Sequence, residues 1–539
     1  MWTKRNWASA ILAVGLLLAV TSVAHAASEA EKQAAIDAGL GWLAAVQAGD
    51  GHWEYGGTDY DIAATGAALL AFIEEGHTPT SGTAYSGVVA SGLNYLLSYA
   101  QSYAIGLQPA GDPDTNGNGI GVKFNYTASN DSRDIYCTGL ALIPVAAVGT
   151  PGAVITVGPQ AGRTYADVIQ DTVDYFAYAQ NEASYAGDPK RGGWRYYANY
   201  TSSDNSNSQW PVVALLYAQA AGATVPAFVG SELAIWANYI QNADGGSDYP
   251  SGKGWGSNVS RTGTLLIQQT FVGWGTGDAR VQAALNYLNN EWLTTANSTW
   301  NGNFGHPYAM WAAYKGLQVT IGLDADQSVI SNLHADPGDV DNPDHGWNWW
   351  EDYCEWLVMN QNPDGSWTGY SYWTGPLATA WNVNILAATE IPPPEIPVFV
   401  DIKPQSCPNP LNLKSKGVLP VAVLGTYEFD VTQIDPATVV LSREDVDEAV
   451  PVLRWAYEDV ATPFEGELCD CHTLGPDGYL DLTLKFSTPE LVETLNLKAV
   501  AGGTIPLTLT GNLLEEFGGT PIRGQDCVWV LMQKGPQKP

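Results

Sequence analysis

Two kinds of apolar spacing alternate along residues 27–390. In the first, apolar side chains recur three and four residues apart, as at Ala35, Ala38, Trp42 and Val46. That spacing lines one face of a helix. It predicts amphipathic helices over 30–47, 85–103, 164–180, 226–241, 277–293 and 344–361. In the second, the segment is apolar almost all round, as from Ile62 to Phe72. Such helices are buried, and the pattern predicts them over 60–75, 134–149, 206–221, 259–274, 306–322 and 376–389. Amphipathic helices alternating with buried ones predict a double ring, an all-α α6/α6 toroid. The buried set shares a register at Thr65-Gly66, Thr138-Gly139, Thr262-Gly263 and Thr379-Ala380. A helical Gly costs about 1 kcal/mol relative to Ala, so its recurrence predicts helices packed too closely for a side chain.

The pattern changes at both ends. Residues 391–397, Ile-Pro-Pro-Pro-Glu-Ile-Pro, read as a linker. Beyond them, over 398–539, short β-branched runs are separated by Gly, Pro and Asp. Strands are expected at 418–424, 438–441, 479–486, 505–510 and 527–531, as an all-β sandwich-like accessory domain. At the other end, Lys4 and Arg5 precede an apolar run to Val20, and Ala24-His25-Ala26 supplies small residues at a cleavage site. Residues 1–26 therefore read as a secretory signal peptide. The mature chain is expected to be secreted or periplasmic, without stable membrane insertion.

A sequence repeat overlies the helical pattern. Gln47-Ala-Gly-Asp50-Gly51-His-Trp53 returns as Gln361-Asn-Pro-Asp364-Gly365-Ser-Trp367. Degraded copies begin at Gln180, leading to Gly192-Gly193-Trp194, and at Gln241, leading to Asp244-Gly245 and Gly254-Trp255. A fixed period means stacked supersecondary units. Asp-Gly favours a tight turn, over which Trp packs while Gln caps backbone groups. These units resemble the prenyltransferase and squalene-oxidase repeats of terpenoid cyclases, protein prenyltransferases and thioester domains. The resemblance covers 30–390 and implies the toroid. The chemical signatures do not carry over: there is no Asp-x-Asp-Asp run in the helical region and no Cys-Gly-Glu-Gln. Asp352-Tyr-Cys354 has a prenyltransferase-like zinc spacing but falls inside an amphipathic helix. The C-terminal part, with Asp401-Ile-Lys-Pro and Lys416-Gly-Val-Leu-Pro-Val-Ala-Val-Leu424, resembles a module of exported microbial proteins.

Charge narrows the partners. A net charge of −33 repels nucleic acid and anionic membranes. Cys407, Cys469, Cys471 and Cys527 in one small exported domain predict disulfides. Cys469-Asp-Cys471-His472 leaves a metal site as the alternative.

In a toroid every inner helix starts at the same end. Polar residues at those starts then converge: Asp59, Asp61, Asp134, Asp204, Arg261, His306 and Tyr308. The acids are good helix caps; Arg261 and His306 are not preferred ones. An insertion carries Asp112, Asp114, Asn116 and Asn118, oxygen ligands at every second position that suit calcium, although the twelfth position is Lys123. No other cofactor is implied. The expected function is a binding or structural role at the barrel mouth, for a polysaccharide or an apolar small molecule. A polysaccharide lyase or glycoside hydrolase is one alternative, with His306 or Tyr308 as base and Arg261 on a carboxylate. A divergent terpenoid cyclase using Asp61 is the other.

Overall fold

Local signals start the outer helices. Ser28 and Thr164 each form a capping box with an acid three residues on, at Glu31 and Asp167. The chain then alternates outer and buried helices: α1 (Glu29–Val46) with α2 (Asp61–Glu74), α3 (Ser86–Ser98) with α4 (Asp134–Ala147) and, after α5 (Tyr165–Ala179) and the single turn α6 (Ala183–Ala186), α7 (Asn205–Ala220). The pairs α8 (Ala227–Ile240) and α9 (Val259–Phe271), α10 (Ala279–Glu291) and α11 (Pro307–Ile321), and α12 (Trp349–Met359) and α13 (Gly375–Leu386) complete the helical part. The computed structural model describes residues 26–55, 60–323, 325, 328–338, 347–389, 391, 396–427, 429–443, 446, 448–464, 466, 468–470, 472–514 and 521–532. The signal segment up to residue 25, Asp59, Cys471 and most of the Pro-rich linker lie outside these residues.

The buried helices contact one another in a cycle. α2 packs on α4, α4 on α7, α7 on α9, α9 on α11, α11 on α13, and α13 returns to α2. The glycines of the shared register sit at these contacts. A Cβ on Gly66 would lie 2.1 Å from the Leu140 carbonyl oxygen, and one on Gly263 would lie 2.5 Å from that of Ala312.

Each side chain of the repeat has one job. The Gln side-chain amide donates back to its own turn and across to the next outer helix. Gln47 reaches Gly51 O and Val88 O, Gln180 reaches Gly192 O and Val229 O, and Gln241 reaches Gly245 O and Arg280 O. Gln361 reaches Gly365 O and, across 326 positions, Ala35 O on α1 at 2.8 Å. The Trp indole N–H donates to the preceding helix, from Trp53 to Leu43 O, Trp194 to Phe176 O and Trp367 to Leu357 O. The same residues' backbone N–H groups donate to hydroxyls of the buried helices, at Thr65, Ser208 and Thr379. The turn glycine abuts the next outer helix: Gly192 has φ +88°, and a Cβ there would sit 1.9 Å from Glu232 O.

Two expectations need correction. The helix expected over 85–103 stops at Ser98, and Ala100–Ala104 is strand β1, paired antiparallel with β2 (Ile120–Phe124). Its pairing partner lies twenty residues away, where helical periodicity gives no sign of it. Trp255 is not the repeat tryptophan. Ser247 stands in that place and donates its N–H to Thr262 Oγ1.

The C-terminal part contains β3 (Ile396–Pro397), β4 (Phe399–Ile402), β5 (Pro410–Leu411), β6 (Val418–Leu424), β7 (Ile434–Ser442), β8 (Ala449–Pro451), β9 (Arg454–Glu458) and β10 (Asp481–Ser487). The short helix α14 (Thr488–Thr494), β11 (Thr504–Leu513) and β12 (Pro521–Val530) follow. One sheet runs β4-β6-β10-β9, and the other β3-β12-β11-β7-β8, with β5 also on β12. Val421, Leu482 and Leu484 of the first share a core with Leu507, Leu509 and Val528 of the second. Cys469 and Cys527 form a disulfide, which overturns the metal reading of Cys469-Asp-Cys471-His472. Cys407 is disulfide-bonded as well, and Cys137 and Cys354 are buried in the helical part.

Gln180→Ala would leave the buried Gly192 carbonyl without this donor and remove the link to Val229 on α8. A buried acceptor so stranded costs about 1–3 kcal/mol, so equilibrium urea unfolding should register a loss of at least about 1 kcal/mol. The exposed Gln33→Ala should change stability by less than about 0.5 kcal/mol.

Candidate functional site

The starts of all six buried helices border one cavity of about 420 Å³. Tyr60 and Ala63 come from α2, Tyr136 from α4, Asn207 and Trp210 from α7, Arg261 from α9, Tyr308 from α11, and Leu377 and Trp381 from α13. The lining includes six tyrosines and five tryptophans. Trp210 and Trp381 stack at 6.0 Å with 12° between their planes, and Trp311 packs beneath both.

The far ends of the same helices carry a different, polar set. Lys315 Nζ donates to Thr389 O at 2.6 Å and to Gln318 Oε1 at 3.0 Å. Gln318 donates to the same carbonyl, and Tyr217 donates to Glu74 Oε1. This network joins the ends of α2, α7 and α11 to the residues after α13. The cavity is therefore a cup entered from the helix starts, above stacked indoles.

The rim is built by turns. Asp248 accepts from the backbone N–H groups of Tyr249, Gly254 and Trp255, folding that loop so that Trp255 stands 64 % exposed at the mouth. Trp300 faces Tyr372 edge-on at 5.7 Å, and both are exposed. Trp300 has φ +60°, and Ser371, next to Tyr372, has φ +52°. Strained backbone of this kind is held only where the surroundings over-determine it. The shared rim position of these aromatics is invisible to sequence spacing. An exposed Trp released from the repeat role at 255 was the one signal available.

The residues expected to converge divide into two groups. Arg261, His306 and Tyr308 line the cup. Asp61, Asp134 and Asp204 stand at the helix starts, but none lines it. Asp204 caps α7 through Ser206 N and Asn207 N, and burial pushes its carboxyl up. Asp134 pairs with buried Lys123 at 2.8 Å and accepts from Asn125 at 2.5 Å; burial raises it too. Asp61 accepts from Tyr55 N at 2.8 Å and is likewise raised by burial.

His306 is not a preferred cap by residue type, yet it caps α11: its Nδ1 accepts from Ala309 N. Its ring lies 4.7 Å from that of Trp373 and 4.8 Å from that of Tyr370, and Nε2 is buried without a partner among the described residues. Burial pushes its pKa down to about 4, so the ring is neutral at pH 7. The Tyr308 hydroxyl receives the Gln209 amide, and burial raises it far above the usual phenol range. Arg261 donates to Gly256 O at 2.8 Å and lies 5.3 Å from the Tyr249 ring. It is the one cation lining the cup, and no carboxylate lines it among the described residues.

The insertion expected to hold calcium closes on itself. Asp112 accepts from Asp114 N, Asp114 from Asn118 N and Gly119 N, and Asn118 from Ile120 N. The amides of Asn116 and Asn118 donate to Asp171. The described residues contain no group of three or more His, Cys, Asp or Glu placed to hold a metal ion.

His306 fixes a pH dependence. Its folded pKa lies below the unfolded value of about 6.5, so the unfolded chain takes up the proton first. Its contribution is present above about pH 6.5 and is lost as the pH falls toward 4. His306→Asn keeps a capping side chain but cannot titrate. Between pH 6.5 and 4.5 the wild type should lose stability relative to this variant in paired thermal melts.

No family model matches this chain, and no curated protein does. Among solved structures it is similar to a protein geranylgeranyltransferase-I of Candida albicans complexed with GGPP. The identity is 11 %, over 59 % of this chain and 87 % of that one, with a TM-score of 0.33, which carries no inference about fold or chemistry.

Proposed function

We propose that the chain is an exported α6/α6-toroid protein that binds a flat, apolar small molecule bearing an anionic group in the cup. One observation carries this reading: eleven aromatic side chains surround a single cation, with no carboxylate among the described lining residues. Aromatic walls favour a ligand with broad apolar faces, each well-placed ring contact adding about 0.5–1.5 kcal/mol beyond area burial. Arg261, partly shielded from water, favours a carboxylate, sulfonate or phosphate at one edge. The cavity is within the range of small-molecule sites.

The hydrolase alternative would need two carboxylates flanking a sugar, and the described lining supplies none. The cyclase alternative would need an acid aimed into the cup, and Asp61 instead serves Tyr55. A lyase would need a base, but His306 Nδ1 is committed to capping and the Tyr308 hydroxyl is held by Gln209. Binding without turnover is the simpler reading. Export accords with the N-terminal sequence and with the Cys469–Cys527 disulfide, which argues for an oxidising compartment. Among the described residues no helix is long and apolar enough to cross a membrane.

The probe is 2-naphthoate, followed by quenching of tryptophan fluorescence on the mature chain. Arg261→Gln should weaken it by about 10-fold or more, as a charged hydrogen bond is worth about 1.5–3 kcal/mol. Trp255→Ala should weaken both 2-naphthoate and the neutral 2-naphthamide. Equal affinity for acid and amide in the wild type would remove the anionic requirement. Binding of cello-oligosaccharides with no response to naphthoate would replace the ligand class with a carbohydrate.

A further inference from the structure

A second cavity, of about 710 Å³, belongs to the β domain rather than to the cup. It opens where β4 of one sheet meets β12 of the other. Asp401 on β4 and Asp526 on β12 both line it, with Asn409 between the strands. Apolar walls are supplied by Phe399, Leu424, Phe464 and Leu468.

The polar groups here are unequally satisfied. Asp526 is tied down: Oδ2 accepts from Ile402 N at 2.6 Å and from the Asn409 amide at 3.2 Å, while Oδ1 accepts from Cys527 N. Asp401 is not. It is 5 % exposed, and its Oδ2 has no hydrogen-bond partner among the described residues. Asn409 spends its amide N–H groups on Asp526 and Cys527 O, leaving its buried Oδ1 without a partner too. Two orphaned oxygen acceptors therefore line one cavity beside a second carboxylate. Native structures seldom leave buried acceptors unpaired, and each such group calls for a missing donor.

A cationic organic donor fits these acceptors. Acceptors alone, with no donor side chain committed to them, suit a group that brings several N–H bonds and a positive charge. The described residues offer no cluster of three His, Cys, Asp or Glu for a metal ion, and the apolar walls suit a carbon stem or ring. The net charge of −33 draws cations toward the protein. We propose that the β-domain cavity is a second binding site, which receives an amidinium, guanidinium or primary ammonium group on an apolar stem between Asp401 and Asn409. This is the chemistry of an Arg or Lys side chain.

Electrostatics supports the same reading. Burial first, then the Asp526 and Asp481 carboxylates, push Asp401 up to about 7. Asp470 and His472 of the facing wall also border the cavity. In the unliganded domain Asp401 favours folding while protonated, and that contribution fades as the pH rises through about 7. A bound cation reverses the preference by pairing with the ionised carboxylate. Cys527 follows Asp526 directly, and its disulfide to Cys469 pins the wall that carries Asp470 and His472.

The probe is benzamidinium, with neutral benzamide as its isostere, in calorimetric titrations of the mature chain. Benzamidinium should bind at least tenfold more tightly than benzamide, and its affinity should rise between pH 6 and 8. Asp401→Asn should reduce that affinity at least tenfold, whereas exposed Asp37→Asn should not change it. Excess 2-naphthoate should fail to displace it, which separates this site from the cup. Equal binding of benzamidinium and benzamide, or full affinity in a folded Asp401→Asn chain, would overturn the proposal. So would displacement by naphthoate, or stoichiometric calcium binding that excludes benzamidinium. Where the variant does not fold, a wild-type affinity that is flat from pH 6 to 8 overturns it as well.

Discussion

One side-chain amide sets the architecture of the helical part. The Gln that follows an outer helix has extended backbone, as at Gln47 and Gln180. Its Nε2 then donates to two carbonyls, one in its own Asp-Gly turn and one on the next outer helix. The turn and the neighbouring helix are thereby fixed together at backbone level, with the glycine allowing contact no Cβ would permit. Repeat proteins with such nearest-neighbour coupling normally need polar caps at both ends. Here Gln361 finds its second carbonyl on α1, so the last unit and the first are neighbours. With four of the outer-helix junctions fixed in this way, the hydroxyls at Thr65, Thr138, Ser208, Thr262 and Thr379 tie the preceding loops to five of the six buried helices. The helix starts are left together at one end, and the cup is the consequence.

Much of this was legible because it is periodic. Buried helices carry apolar residues on all faces, and their boundaries fell within a few residues of expectation, as at α4 and α9. In the β domain the run 418–424 coincides with β6, since its apolar content reflects burial between neighbouring strands. What failed to be legible was non-local. The β1–β2 hairpin depends on Val122 and Phe124 entering the core, where no repeat position announces them. At the site, residue type misled in both directions. Acids at helix starts looked able to converge, yet each had a backbone N–H or a Lys123 closer at hand. His306 looked unsuited to capping, yet a neutral imidazole has one acceptor nitrogen, and burial keeps it neutral. The cup's lining was missed because spacing groups Trp255 with the repeat residues Trp53, Trp194 and Trp367, and only structure separates it from them.

The two ends of the buried helices answer different physical demands. Free N–H groups and the positive dipole end face the cup. Asp204, Asn258 and His306 take up some of these groups at α7, α9 and α11, and the lining itself is aromatic faces with one guanidinium. The opposite end gathers free carbonyls, where a cation is favoured, and Lys315 with Gln318 meets the Thr389 carbonyl there. Lysine buried at that end costs desolvation energy that several hydrogen bonds must offset. The arrangement makes sense if the floor must exclude water while the mouth stays open. On the proposed reading, an apolar ligand displaces water from indole and phenol surfaces and meets its only charge at Arg261.

That division also explains why the strain lies where it does. Trp300 at φ +60° and Ser371 at φ +52° stand on neighbouring rim turns, and the aromatic pair they present is exposed. A bulky residue in the left-handed region costs of order 1–3 kcal/mol, with nothing recovered by burying Trp300 in the core. Elsewhere in the helical part that backbone geometry is mostly given to glycine, as at Gly192, Gly245 and Gly365, where close helix contact demands it. The core therefore uses glycine wherever a left-handed turn is a packing requirement. Retaining tryptophan at such a turn, on a rim facing Tyr372, is costly for stability alone and intelligible if the indole's position is what the fold is built to hold.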